Sequence, residues 1–285
     1  MADVTAPVAV PRRGVSDAVR RAGIRWGLRL IALAYLTLLL LIPVVLVLWK
    51  TFQNGLGPIA DSLSSAQTVH AFQITIVVAF YSVLANTIFG VGASLLLVRH
   101  EFRGKRVLNA LIDLPLAVSP VVVGLALVLV YGRLTGVGKA LASVGINVIF
   151  SIPGMVLATT FVCIPLVVRS VAPVLEEIGD DQEQAAATLG AGPVETFLRI
   201  TLPTIRSALA YGVVLALARS LGEYGAVAVV SGRLVGRTQT VTLLVQERYQ
   251  NFDQTTAYTC AVLLVLMAVL ALLVSRLLRP RELST

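Results

Sequence analysis

The chain has 285 residues, of which 57% are hydrophobic and only 13% charged, about half the charged share of an ordinary soluble domain. A soluble fold of this size could not hide so much apolar surface in one core, so most of the chain is expected to face lipid. The net charge of +8 does not point to nucleic acid, because the positive residues sit between apolar runs and the aromatics form no stacking pattern.

In chain order, residues 1–27 form a basic segment with Arg12, Arg13, Arg20, Arg21 and Arg25. It is expected to be disordered apart from a short basic helix on the membrane surface. Residues 28–50 hold the first transmembrane helix, with an uncharged run from Leu30 to Trp49. That run is too long for a cleaved signal peptide, and no A-x-A-like site closes it. Five further apolar stretches follow: Ala71 to Val98, Leu114 to Tyr131, Ile152 to Val168, Ser207 to Gly232 and Thr255 to Ser275. Each is near the ~20 residues a bilayer-crossing helix needs. The reading is an all-α membrane protein of about six transmembrane helices.

The loops fix the orientation. Sixteen of the 23 Lys and Arg residues fall on one side: six up to Arg29, four in the second loop from Arg99 to Arg106, three in the fourth loop and three in the tail. Six fall on the other: Lys50, Arg133, Lys139, Arg233, Arg237 and Arg248. Both termini are therefore predicted cytoplasmic. Cys163 and Cys260 lie inside apolar runs and read as buried thiols, without metal spacing. His70 and His100 lie at helix edges and form no cluster.

The fourth loop, Arg169 to Arg206, is the most informative. It opens with the acidic run Glu176 to Gln184, continues through Ala185-Ala186-Ala187-Thr188-Leu189-Gly190, and is broken at Gly190, Gly192 and Pro193. Ala, Gln, Glu and Leu favour a helix, and acidic residues suit its start. A second short helix is expected from about Val194 to Ile200, ended by Pro203. Ala185, Ala186 and Gly190 would allow close approach, and Leu189, Phe197 and Ile200 would supply apolar contact. An ordinary amphipathic connector fits the same residues.

Gln184-Ala185-Ala186, three residues, Gly190, nine residues and Ile200-Thr201-Leu202-Pro203 resemble the Glu-Ala-Ala motif of ABC-importer permeases. Gln184 stands where the motif has Glu, with Glu183 one position earlier. The resemblance implies a type-1 ABC importer transmembrane fold, with a permease core over 71–276 and a tail at 277–285. It also implies that the coupling helix at 183–203 docks on a separate ATPase through Glu183, Gln184, Ala185, Ala186, Leu189, Gly190, Ile200, Leu202 and Pro203. Only ten residues follow Ser275, so no regulatory domain is expected behind the last span. The chain has no G-x-x-x-x-G-K-[ST] pattern, so it is not expected to hydrolyse ATP.

Further blocks are similar to the sulfate and molybdate permease group, closest to its CysW-type sulfate/thiosulfate members. They are Asp113 to Gly124, Ser151 to Val156, Pro165 to Arg169, and Ala218-Arg219-Ser220-Leu221-Gly222-Glu223-Tyr224-Gly225-Ala226 with Val229 to Gly232. Membership implies two copies of an ATP-binding subunit, a second, CysT-like permease and an extracytoplasmic sulfate-binding protein, with no cofactor or metal on this chain. Molybdate or tungstate is the alternative cargo.

Arg219 and Glu223 lie four apart inside the fifth apolar run, where charges are costly and face a bundle interior or a water cavity. Arg219 could help an oxyanion through, with Glu223 holding it, or the two could be a structural ion pair. Pro115 and Pro120 bracket Ser119 in the third run; a pathway wall at Ser119 and Pro120 or a packing kink would each suit irregular backbone there. The segment Arg233 to Gln254 is expected to lie outside as a short amphipathic piece that contacts the binding protein or dips into the interface, or as a solvated loop. A secondary transporter or channel would need its own ion-coupling residues, and an intramembrane enzyme convergent His, Asp or Ser groups. The chain offers neither pattern.

Overall fold

A computed structural model describes residues 15–278, and among these every regular element is helical. The chain divides into two compact units, one ending at Gln53 and one starting at Asn54.

The first unit is one long helix. α1 (Val15–Leu36) passes through a turn of π-helix at Thr37–Leu41 into α2 (Ile42–Phe52). The π turn has a local cause. Pro43 has no N–H for the carbonyl four residues back, and its ring crowds that carbonyl, so the preceding turn widens. Ile42 accordingly donates to Thr37, five residues back. Side chains from Trp26 to Trp49 are exposed on every face, as befits a helix with lipid or another chain around it. The basic residues Arg20, Arg21, Arg25 and Arg29 belong to this same helix, not to a separate surface one. Arg12, Arg13 and the first part of the expected basic segment lie outside the described residues, as do Arg279 and Arg281.

The second unit begins with α3 (Gly57–Ser64), α4 (Ala66–Arg99), α5 (Lys105–Ala117), α6 (Pro120–Tyr131) and α7 (Gly136–Ser143). It continues with α8 (Ile152–Ile178), α9 (Asp181–Thr188), α10 (Pro193–Thr196), α11 (Leu202–Leu221) and α12 (Gly225–Val230), and ends with α13 (Val241–Gln250) and α14 (Gln254–Leu278). The bundle is α4, α8, α11 and α14, with α4 packed on α8 and both on α11. Small residues let these helices approach, the device expected where lipid tails remove any hydrophobic drive. A Cβ on Gly90 of α4 would sit 2.5 Å from Val167 of α8, and one on Gly212 of α11 would sit 3.0 Å from Ser170. Around these contacts Val91, Cys163, Val167, Val171, Leu175, Ile205 and Ala216 form one buried cluster. Both cysteines are buried and free.

Among the described residues, five helices are long and apolar enough to cross a membrane, six if one bent pair is a single span. The chain is therefore a multi-pass membrane protein. Two expected spans are not straight. The third is the bent pair, α5 and α6, which meet at 115° across Val118 and Ser119. The fifth stops at Leu221, and the chain turns before α12. The helix leading into the fifth also differs from expectation. Pro203 does not end it: α10, a π turn at Phe197–Thr201 and α11 form one continuous rod from Pro193 to Leu221. As at Pro43, the turn before the proline is π-helical, and Leu202 donates to Phe197. Packing on the bundle keeps the rod going where propensity alone would stop it.

Candidate functional site

The segment between α8 and α11 is a helical hairpin at the bundle end where α4 and α8 both finish. Glu176, Glu177 and Ile178 belong to the last turn of α8, not to the start of the acidic helix as the charge pattern suggested. Gly179 then takes φ +69°, and α9 begins with Asp181 and Glu183 in its first turn. The hairpin bends at Gly190, whose φ of +87° only glycine adopts freely. Gly190 donates to the Ala187 carbonyl at 3.0 Å and Ala191 to the Ala186 carbonyl at 3.0 Å, the Schellman closure of a helix end.

The sequence-predicted docking residues divide between two sides. Gln184, Ala185, Leu189, Gly190 and Pro203 are exposed, while Ala186 is buried and Ile200 and Leu202 are half-buried. Leu189 is 88% exposed. Phe197 turns inward onto the cluster around Val167. Two exposed apolar residues, Val194 and Leu198, were not singled out in the sequence; their only signal was position on a short helix with no second apolar face to pack. The hairpin thus presents an apolar surface that nothing among the described residues covers.

Glu183 faces the bundle. Arg99, the last residue of α4, donates to its carboxylate from Nε at 3.0 Å and from Nη2 at 3.3 Å. Arg99 also donates from Nη1 to the Leu175 carbonyl at 2.9 Å and from Nη2 to the Gly179 carbonyl at 2.7 Å. Thr201, in the π turn, donates to Glu183 Oε1 at 2.8 Å. Arg99 had shown only as one of the orienting positive charges. A second ion pair sits nearby: Arg169 of α8 makes a two-pronged contact with Asp113 of α5, with Nε donating to Oδ1 at 2.9 Å.

The two span breaks meet. A Cβ on Gly225 would lie 3.0 Å from Pro120 Cβ, and one on Gly124 would lie 2.8 Å from Val229 Cβ and 2.9 Å from the Ala226 carbonyl. The start of α6 therefore lies against the start of α12, with Ser119 exposed beside it. Arg219 Nη1 lies 2.9 Å from Glu223 Oε2, with the arginine side chain 40% exposed and the glutamate 1%. Glu223, one residue before the N-cap Tyr224, accepts the Ala226 N–H through Oε1 at 3.0 Å and so satisfies a donor in the first turn of α12. Its backbone carbonyl accepts the Thr242 hydroxyl at 3.0 Å. The four predicted pathway residues, Ser119, Pro120, Arg219 and Glu223, thus gather around the two breaks. Glu223 is built into the fold, while the Arg219 guanidinium keeps an open side.

The segment from Arg233 to Gln254 is not a solvated loop. Its amphipathic piece is α13: Val241 and Leu244 are buried against α4 and α14, and Leu243 joins a cluster from α4, α8 and α12. The Val241 N–H donates to Thr75 Oγ1 at 2.9 Å, and Gln67 donates to Gln239 Oε1 at 2.9 Å. Among the described residues no group of three or more His, Cys, Asp or Glu side chains is placed to hold a metal.

The profile of the family described as binding-protein-dependent transport system inner membrane component matches residues 86–283. The chain is 44% identical to the sulfate transport system permease protein CysW of Synechocystis sp., over 90% of this chain and 94% of that one. It is 39% identical to CysW of Escherichia coli (strain K12), over 90% and 88%. It is 35% identical to the sulfate transport system permease protein CysT of Salmonella typhimurium (strain LT2), over 85% and 87%. A chain of the bacterial alginate ABC transporter shares the fold at a TM-score of 0.75 and 16% identity, covering 92% of this chain and 95% of that one.

Proposed function

The chain belongs to the family of binding-protein-dependent transport system inner membrane components, and from that premise we propose that it is the membrane-spanning permease subunit of an ATP-driven sulfate importer. It is not itself an enzyme; in this family a separate subunit hydrolyses ATP. The similarity to two CysW proteins, and more distantly to a CysT protein, supports sulfate as cargo and a CysT-like chain as the second permease. Two ATPase copies and an external sulfate-binding protein complete the assembly. It sits in the bacterial cytoplasmic membrane with the hairpin and both termini in the cytoplasm, as the excess of Lys and Arg on that side favours.

The observation that carries the docking assignment is the uncovered apolar surface of Leu189, Val194 and Leu198 on a hairpin tied to the ends of two bundle helices. The hairpin takes up the ATPase's movement, and the bundle helices carry it to the breaks around Ser119 and Glu223, where access switches from one side to the other. Gln184 lies on the exposed side, so an uncharged amide stands where the family motif would offer a carboxylate to the ATPase.

Two measurements test this. A tagged chain should bring down an ATP-binding subunit, and its failure to do so would sink the importer reading. Labelled sulfate uptake in a strain lacking the gene should return with the chain. Competition by thiosulfate but not by molybdate is expected; selective competition by molybdate would reassign the cargo.

A further inference from the structure

We propose that Arg99 is the positioning residue through which the docking hairpin drives α4, with Glu183 and Thr201 as its partners; this rests on the docking reading above. The guanidinium commits Nε, Nη1 and Nη2 to three acceptors: the Glu183 carboxylate, the Leu175 carbonyl and the Gly179 carbonyl. Thr201 completes the node from the π turn. Four stretches therefore converge on the Arg99–Glu183 pair: the end of α4, the end of α8, the first turn of α9 and, through Thr201, the entry to α11. Both charged partners are largely shielded from solvent, so the contact is stronger than a surface pair.

The hairpin joins α8 through Gly179, at φ +69°, and it joins α11 through the π turn of a continuous rod. Between them α9 and α10 bury one residue, Ala186. α4 is the one bundle helix at this node with no covalent neighbour in the hairpin. Displacement of the exposed tip reaches α8 and α11 along the chain and α4 in part through its packing on them, but the end of α4 is tied to the hairpin itself through Arg99. Losing that tie would let the end of α4 lag behind the hairpin. A lysine would not replace it: a point charge cannot address three acceptors in one plane.

The test uses the whole importer, purified with its ATPase, reconstituted in liposomes and supplied with binding protein and sulfate. The readout is sulfate moved per ATP hydrolysed. Arg99→Gln and Arg99→Lys should still retain the ATPase on purification but lower that ratio at least ~5-fold, the lower end of ordinary coupling energies. Glu183→Ala should do the same, and Thr201→Val, which removes one of the hydrogen bonds, should do so more mildly. An unchanged ratio with the ATPase still bound overturns the proposal and leaves the docking reading standing. Full rescue by Arg99→Lys overturns it too, as does loss of assembly in every variant including Thr201→Val, since the node would then be a structural staple. If the unmodified chain retains no ATPase, the docking reading falls and takes this proposal with it.

Discussion

The carboxylate of Glu223 is shared between the Arg219 guanidinium, 2.9 Å away, and the N–H of Ala226 in the first turn of α12. The two residues are therefore unequal. Glu223 is buried and holds a helix start; Arg219 is partly exposed. Removing the glutamate frees the start of α12 and leaves a partly exposed arginine that water can solvate, while removing the arginine strips the counter-charge from a buried carboxylate. Glu223→Ala is expected to cost about 1–3 kcal/mol, and Arg219→Gln as much or more. Thermal unfolding of the purified complex would measure this. An Arg219→Gln variant as stable as the unmodified chain would refute the dependence of Glu223 on its counter-charge.

The pairing of these residues was legible from their spacing, but its setting was not. A four-residue interval suggested one helix face, whereas α11 ends at Leu221 and the contact spans the turn that follows. Nothing in the apolar run from Ala226 to Val230 marks the break, because lipid and protein core select the same residues. Pro115 and Pro120 did announce irregular backbone, though not a 115° bend. Pro203 pointed to a helix end, yet tertiary packing carried the rod past it. The hairpin itself was readable, since Gly190, Gly192 and Pro193 act locally. The inward turn of Glu183 was not, because it depends on Arg99, 84 residues earlier in the chain.

Gly90 and Gly92 lie two residues apart on α4 and should respond in opposite directions to the same substitution. Gly90 faces α8, where an added Cβ would meet Val167 Cγ1 at 2.5 Å and its Cβ at 2.7 Å. The second of these atoms cannot swing away, so α4 and α8 must separate. Gly90→Ala is expected to destabilise by about 1–3 kcal/mol. Gly92 has no neighbour within 4 Å of its built Cβ, and Gly92→Ala should be neutral or stabilise by up to about 1 kcal/mol through backbone entropy. Equal melting temperatures for the two variants would contradict the α4–α8 contact.

Gly124 tests the meeting of the two span breaks. Its added Cβ would collide with Val229 and with the Ala226 carbonyl, and the carbonyl is backbone that cannot rotate clear. Gly124→Ala should push α6 off α12, costing about 1–3 kcal/mol, and should reduce sulfate uptake while ATPase capture persists. Gly132 and Gly138 are unsuitable controls, because their built Cβ atoms also meet backbone oxygens. Gly136 has open space and serves: Gly136→Ala should leave uptake unchanged. Unaltered uptake in Gly124→Ala would mean that the α6–α12 contact does not shape the transport path.

The hairpin tip and its base should separate experimentally. Leu189 projects from the tip with 88% of its surface free, while Phe197 packs against the bundle. Leu189→Asp removes apolar contact only with whatever docks, and exposed substitutions of this kind change stability by less than about 0.5 kcal/mol. Capture of the ATPase should fall sharply with melting unchanged, because a charge would enter the apolar centre of an interface, where charged residues are depleted. Phe197→Ala should do the reverse first: it opens a void beside Val167 and Ile205 and costs about 3 kcal/mol or more if fully felt, less at a half-buried site. Leu198→Asp, exposed on the rod, should follow Leu189. If Leu189→Asp and Leu198→Asp both retain the ATPase at normal yield, the partner does not dock on this surface, and the exposed apolar residues would need a different occupant.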